Sequence, residues 1–171
     1  MTELDIDVPH LIDDICWQIK QKPMFSQTPK IIGIRTGGEW VAQQIHQQLN
    51  LEDELGVIDI AFYRDDFSKK GLNPTVKPSN IPWPVDNQHI ILVDDIIYTG
   101  RTTRAALNEI FDFGRPASVT LVTLIDRKGG RELPFQANII GASIESSEPL
   151  KLSGPEPLSI SIIPENSEEP A

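Results

Sequence analysis

Cysteine is all but missing: Cys16 stands alone in 171 residues, so no internal disulfide can form. A single thiol within a helical pattern is expected to be a core or half-buried group in a reducing cytoplasm. Long apolar runs are also missing. Nothing approaches the ~18 consecutive apolar residues that a membrane-spanning helix requires. The N-terminal MTELDIDVPH is acidic and lacks the basic-then-apolar layout of a secretory signal. Basic residues are scarce, 15 against 25 acidic ones, for a formal charge of −10. That balance argues against a general nucleic-acid binder, which presents a basic field. The charge is uneven, however: the last 30 residues hold six acids and one base, half of the net charge. The remainder can still form a local cationic pocket for a phosphorylated ligand.

Several motifs are missing too. GxGxxG is absent, which removes the dinucleotide-binding fingerprint, and GxxxxGK[ST] is absent, which removes the P-loop. A receiver domain would place an acidic pair on a strand near the start of the chain, and none is there. His10, His46 and His89 have no ligand spacing to acids or cysteines, so they are expected at the surface or in packing. There is no internal repeat. With 39% apolar residues, the chain is long enough for one domain with a sizeable core, expected over residues 1–164 with a disordered tail over 165–171.

Asp7 is placed to cap a helix whose first turn carries Pro9, and Leu11, Ile12, Ile15 and Ile19 share one face. KIIGI (residues 30–34) is a short apolar strand, followed by RTGG and a second amphipathic helix from Glu39 through Val41, Ala42, Ile45 and Leu49. VIDIAFY (57–63) predicts another strand. Residues 64–87 carry four prolines, several charges and no helical period, which predicts a long functional loop. A strand from His89, a helix from about Thr103 to Phe113 stopped by Gly114, and a strand over 118–125 follow. Strands alternating with helices predict an α/β fold with a mostly parallel central sheet flanked by helices. Trp17 and Trp40 sit on helical patterns and are expected to pack or to contact another subunit.

The stretch HIILVDDIIYTGRTT (89–103) drives an apolar strand into two adjacent aspartates. In an open parallel sheet, ligands sit beyond the carboxyl ends of the strands. Thr99, Gly100, Arg101, Thr102 and Thr103 would bring hydroxyls, backbone amides and a helix N-terminus to one point, an anion site suited to a phosphate monoester. Asp94 and Asp95 beside it would hold ribose hydroxyls or a hydrated Mg²⁺. Arg35, Thr36, Gly37 and Gly38 form a second small turn before a helix. Two anion loops flanking a diol site describe a sugar phosphorylated at both ends. On their own, two acids at a strand end serve equally as a solvated edge or a helix cap.

VDDIIYTGRT resembles the 5-phosphoribosyl-1-pyrophosphate (PRPP) motif of type I phosphoribosyltransferases. GIRTGG, FYRDD, RAALNEIFDFGRP and LIDR…RELPF extend the likeness over most of the chain and make it similar to the PyrR family of pyrimidine operon regulators and uracil phosphoribosyltransferases. The resemblance implies the type I phosphoribosyltransferase fold with a flexible hood loop over about 64–87. It implies uracil + PRPP → UMP + pyrophosphate with Mg²⁺ as cofactor. Asp94 and Asp95 would be catalytic, holding the ribose hydroxyls and reaching the metal through those hydroxyls or water. Arg35–Gly38 would bind pyrophosphate and Tyr98–Thr103 the 5′-phosphate. Ile96 and Ile125, Asp126 and Arg127 would wall the base pocket. In the hood, Arg64, Lys69 and Lys70 would reach the pyrophosphate, with solvated loop charges as the plain alternative.

The family also implies a cytoplasmic homodimer and, as a regulatory partner, pyrimidine leader mRNA. Residues 1–30 hold five acids and three bases, which works against that partner. Lys128, Gly129 and Gly130 stand where the family pattern has glycine and histidine. An RNA-binding attenuator with little or no catalysis, or a phosphoribosyltransferase for a purine base, are the alternatives.

Overall fold

The computed structural model describes residues 1–60 and 79–165. FYRDD, Arg64, Lys69 and Lys70 lie outside the described residues, as do residues 166–171 of the tail. The described chain runs β1 (Thr2–Glu3), α1 (Val8–Lys20), a 3₁₀ turn (Pro23–Phe25), β2 (Lys30–Ile34), α2 (Gly37–Gln48), β3 (Gly56–Ile58), β4 (His89–Ile97), α3 (Arg101–Phe113), β5 (Ser118–Lys128), β6 (Ile139–Glu145), β7 (Leu150–Ser153) and β8 (Ser159–Ile162).

Five strands form one sheet in the order β3-β2-β4-β5-β6, every pair parallel. β4 and β5 lie at its centre, and they read as near-continuous apolar runs because both faces are covered. Side chains alternate between those faces. Ile31, Ile91, Val93, Val122 and Leu124 pack with α1 and α2. Ile32, Ile34, Ile90, Leu92 and Leu121 pack with α3 on the other side. The Asp7 carboxylate accepts from the His10 amide at 3.0 Å and starts α1 as the sequence predicts. Ile12, Ile15 and Ile19 turn inward, whereas Trp17 is 61% exposed.

The structure corrects three sequence expectations and adds one small sheet. The strand expected over 57–63 is β3, Gly56–Ile58; Asp59 leaves the ladder and its amide donates to Ser79 Oγ at 3.1 Å. α3 begins at Arg101, two residues before the expected start, because Gly100 supplies the turn. The last part of the predicted loop lies against the sheet edge: Asn80 exchanges two backbone hydrogen bonds with Val57, Trp83 Nε1 donates to the Glu54 carbonyl at 2.9 Å, and Val85 is buried. Finally, the C-terminal region builds a small antiparallel sheet, β1-β8-β7. Leu152, Leu158 and Ile160 from it close the core beneath α1 and α2.

Ile91 lies at the centre of this arrangement and is fully buried. Ile91→Ala should destabilise the fold by about 2–5 kcal/mol through lost burial and a residual cavity. Urea unfolding followed by tryptophan fluorescence checks this, and a loss below about 1 kcal/mol would contradict the central placement of β4.

Candidate active site

Two strand ends meet at the carboxyl edge of the sheet. From β2 the chain turns through Arg35 and Thr36, joined by a cis peptide, into α2. The Arg35 amide donates to the Ile58 carbonyl at 3.0 Å, and its guanidinium lies 3.5 Å from Glu39. α2 then packs close against β4. A β-carbon on Gly37 would lie 2.1 Å from Asp95 Oδ2, and one on Gly38 would lie 2.6 Å from the Val93 carbonyl oxygen. Only a residue without a side chain lets the α2 N-terminus reach the aspartates.

Asp94 is 4% exposed and its Oδ1 accepts from the Asp95 amide at 2.9 Å. Asp95 is half-buried and its Oδ1 accepts from the Ile96 amide at 2.8 Å. Each carboxylate is thus oriented by the amide that follows it. A β-carbon on Gly37 would touch the Asp95 carboxylate, so that acid faces the α2 N-terminus.

The loop after β4 turns at Gly100, whose φ of 92° is left-handed and suits glycine. The Arg101 amide donates to Thr99 Oγ1 at 3.2 Å. α3 then starts with no side-chain cap and no acid in its first turn, which leaves its N-terminal amides and dipole available to an anion. Tyr98, Thr99 and Thr102 are half-buried at this mouth. Arg101 Nε lies 2.7 Å from Glu132 Oε2, with both side chains about half exposed. Thr103 departs from its expected place: it is 2% exposed on the buried face of α3, and its hydroxyl has no hydrogen-bond partner among the described residues.

The residues expected to wall a base pocket divide. Ile96 is half-buried beside the aspartates. Ile125 is fully buried in the core, and Asp126 and Arg127 serve as scaffold. Asp126 Oδ1 accepts from Arg131 Nη2 and Oδ2 from Lys128 Nζ, each at 2.8 Å. Burial alone would raise its pKa, but the hydrogen bonds and charges of Lys128 and Arg131 prevail and hold the carboxyl below its ordinary value. The Arg127 guanidinium stacks 3.6 Å over the Tyr98 ring and donates to the Ser146 and Ser147 carbonyls, both at 3.1 Å. Sequence reasoning missed this node. One acid followed by three cations within six residues, Asp126, Arg127, Lys128 and Arg131, is the signal that marks it. His10, His46 and His89 lie away from the site, and no group of three or more ligating side chains that could hold a metal occurs among the described residues.

A parallel sheet with two anion loops at neighbouring strand ends is the architecture of a phosphoribosyltransferase. The family profile described as "Phosphoribosyl transferase domain" matches residues 7–156. Two structures of a hypoxanthine-guanine phosphoribosyltransferase from Bacillus anthracis share the fold. One has a TM-score of 0.69 at 19% identity, covering 88% of this chain and 86% of that one. The other has a TM-score of 0.71 at 16% identity, covering 95% and 99%. Similarity in sequence is far higher to curated proteins named "Bifunctional protein PyrR". The one from Pseudomonas syringae pv. tomato is 55% identical over 136 residues, 78% of this chain and 79% of the relative. The one from Nitrosococcus oceani is 56% identical over 138 residues, covering 78% and 77%. The chain belongs to the PyrR family of phosphoribosyltransferases.

Gly37→Ala should abolish turnover while leaving the unfolding transition in place, because the new methyl displaces Asp95 rather than any core group. Wild-type rates in that variant would contradict the packing described. Asp126 yields a pH prediction. A carboxyl with a lowered folded pKa contributes stability above its unfolded value and loses it as pH falls through the folded value. The stability gap between wild type and Asp126→Asn should therefore be full at neutral pH and shrink as pH drops below the ordinary 3.8. A gap that stays constant in acid would contradict the ion-pair role.

Proposed function

We propose that the protein transfers the phosphoribosyl group of PRPP to uracil, giving UMP and pyrophosphate. The observation that carries this reading is the packing of Gly37 against Asp95, which brings the Arg35–Gly38 turn up to the strand-end acids. The bond from C1′ to the pyrophosphate oxygen breaks, and a bond from C1′ to uracil N1 forms as N1 gives up its proton. No side chain is assigned as the base that takes it.

As the first bond breaks, positive charge grows on the sugar at C1′. Asp94 and Asp95, holding the ribose hydroxyls beneath it, stabilise that charge with dipoles and charges already in place. Arg35, Thr36 and the amides of Gly37 and Gly38 receive the leaving pyrophosphate. Tyr98, Thr99, Gly100, Arg101 and Thr102 hold the 5′-phosphate at the α3 N-terminus. Two strand-end carboxylates with no third ligating group beside them among the described residues fit a hydrated ion that arrives with substrate better than one caged by protein. Asp94 and Asp95 would hold, through water or the ribose hydroxyls, a Mg²⁺ whose charge offsets that of the departing pyrophosphate. Ile96 walls the base, with the backbone of residues 125–127 behind it. A hood carrying Arg64, Lys69 and Lys70, which lie outside the described residues, would supply a cation to the pyrophosphate and keep water from capturing the sugar cation.

The relatives' name, bifunctional, supports a second role in UMP-dependent control of pyrimidine genes through leader mRNA. The surface of α1 exposes Asp13 and Asp14, which weakens its attraction for a phosphate backbone. The protein works as a cytoplasmic homodimer in this reading, with exposed Trp17 as a subunit-contact residue; no helix among the described residues is long and apolar enough to cross a membrane. Residues 1–164 act as one domain.

A panel of uracil, hypoxanthine, guanine, adenine and orotate, each with PRPP and Mg²⁺, tests the reading by pyrophosphate release. Release with uracil alone is expected, and release with a purine instead would overturn the base assignment. Asp94→Asn combined with Asp95→Asn should lower turnover at least about a hundredfold with unfolding unchanged, since preorganised charge is the main catalytic term.

A further inference from the structure

The turn from Tyr98 to Arg101 is held by the end of β5 and the segment that follows it. The Tyr98 ring lies beneath the Arg127 guanidinium at 3.6 Å. Gly130 is flush against the same ring, since a β-carbon there would lie 2.0 Å from its Cε2 atom. The Thr99 carbonyl accepts from the amides of Glu132 at 2.9 Å and Leu133 at 3.0 Å. Arg101 pairs with Glu132 at 2.7 Å. One side chain joins these contacts to the interior: Arg131 donates through Nη1 to the Tyr98 carbonyl and through Nη2 to Asp126 Oδ1, the latter at 2.8 Å.

We propose that Arg131 is a positioning residue for the 5′-phosphate loop, its guanidinium fixing the Tyr98 carbonyl to the buried Asp126 carboxylate so that the amides beyond are aimed at the phosphate. The inference rests on the reading of Tyr98–Thr102 as the phosphate loop. A planar guanidinium reaches the two acceptors from two separate nitrogens in a fixed fork, whereas an ammonium has one nitrogen to place between them. Asp126 has no exposed surface and cannot follow a moving partner, so the anchor point is rigid. Lys128 holds the second oxygen of Asp126 from a half-exposed position, so the carboxylate keeps one cation when Arg131 is removed. The fold therefore has a means to survive the substitution while the loop loses its tether. Gly130 gives an independent handle on the same loop, because a methyl group there displaces the Tyr98 ring without altering any charge.

The two products separate positioning from general damage. UMP uses the phosphate loop, whereas pyrophosphate uses the Arg35–Gly38 loop. Calorimetric dissociation constants for UMP and for pyrophosphate with Mg²⁺ are measured on wild type, Arg131→Gln, Arg131→Lys and Gly130→Ala, together with KM for PRPP and uracil. Loss of one charge-assisted hydrogen bond predicts that Arg131→Gln binds UMP about tenfold or more weakly. Pyrophosphate affinity and the KM for uracil should stay within about twofold of wild type, below the effect of any one hydrogen bond. KM for PRPP should rise, Arg131→Lys should fall between the two, and Gly130→Ala should repeat the pattern. Equal weakening toward both products, or a lowered active fraction with unchanged constants, would mean a purely structural role and overturn the proposal. UMP binding like wild type in Arg131→Gln would overturn it as well. A wild type that binds pyrophosphate but not UMP would refute the phosphate-loop reading itself, and the proposal with it.

Discussion

A missing side chain lets two secondary-structure elements approach more closely than side chains allow. At Gly37 a β-carbon would meet the Asp95 carboxylate, and at Gly38 it would meet the backbone of β4. Gly33 continues the contact one turn deeper, where a β-carbon would fall 2.8 Å from the backbone of Glu39. With those three positions open, α2 lies directly on β2 and β4, with its N-terminus against the Asp95 carboxylate. With them filled, α2 would stand off the sheet and away from the strand-end acids. Core packing then fixes the distance, because Val41, Ala42 and Ile45 of α2 are fully buried against Ile31, Ile91 and Val93. Close packing transmits such positions with little slack.

The second constraint is electrostatic. Asp126 is an acid with no exposed surface, and a buried carboxylate is tolerated only when paired. Lys128 and Arg131 supply that pairing, and through Arg131 the pair extends to the loop that begins at Tyr98. The carboxyl edge of the sheet is thus organised from two sides, by close backbone approach at α2 and by an ion-pair node behind α3.

Much of this was legible in the chain. KIIGI, the run into Asp94 and Asp95, and the strand from Ser118 announced a parallel sheet, because strands buried on both faces must be apolar throughout. Asp7 and Pro9 announced α1 by local capping, which depends only on neighbours in sequence. The two loops were legible because small and hydroxyl-bearing residues following a strand have few other uses. What escaped depends on distant partners. β1, β7 and β8 are two to four residues long and exist only through pairing of the chain's two ends. Asp126 and Arg127 read as pocket walls because nothing local reveals that Tyr98, nearly thirty residues earlier, receives the Arg127 guanidinium. Thr103 read as a ligand-facing hydroxyl because helix phase at α3 was set two residues late.

The central claim is that one sugar phosphate spans the acid pair between the two loops. The structure of the protein with UMP bound tests it most directly. The account predicts the 5′-phosphate on the amides from Thr99 to Thr102, with both ribose hydroxyls on Asp94 and Asp95. A nucleotide whose phosphate lies away from the α3 N-terminus, or whose ribose turns from the two aspartates, would contradict it.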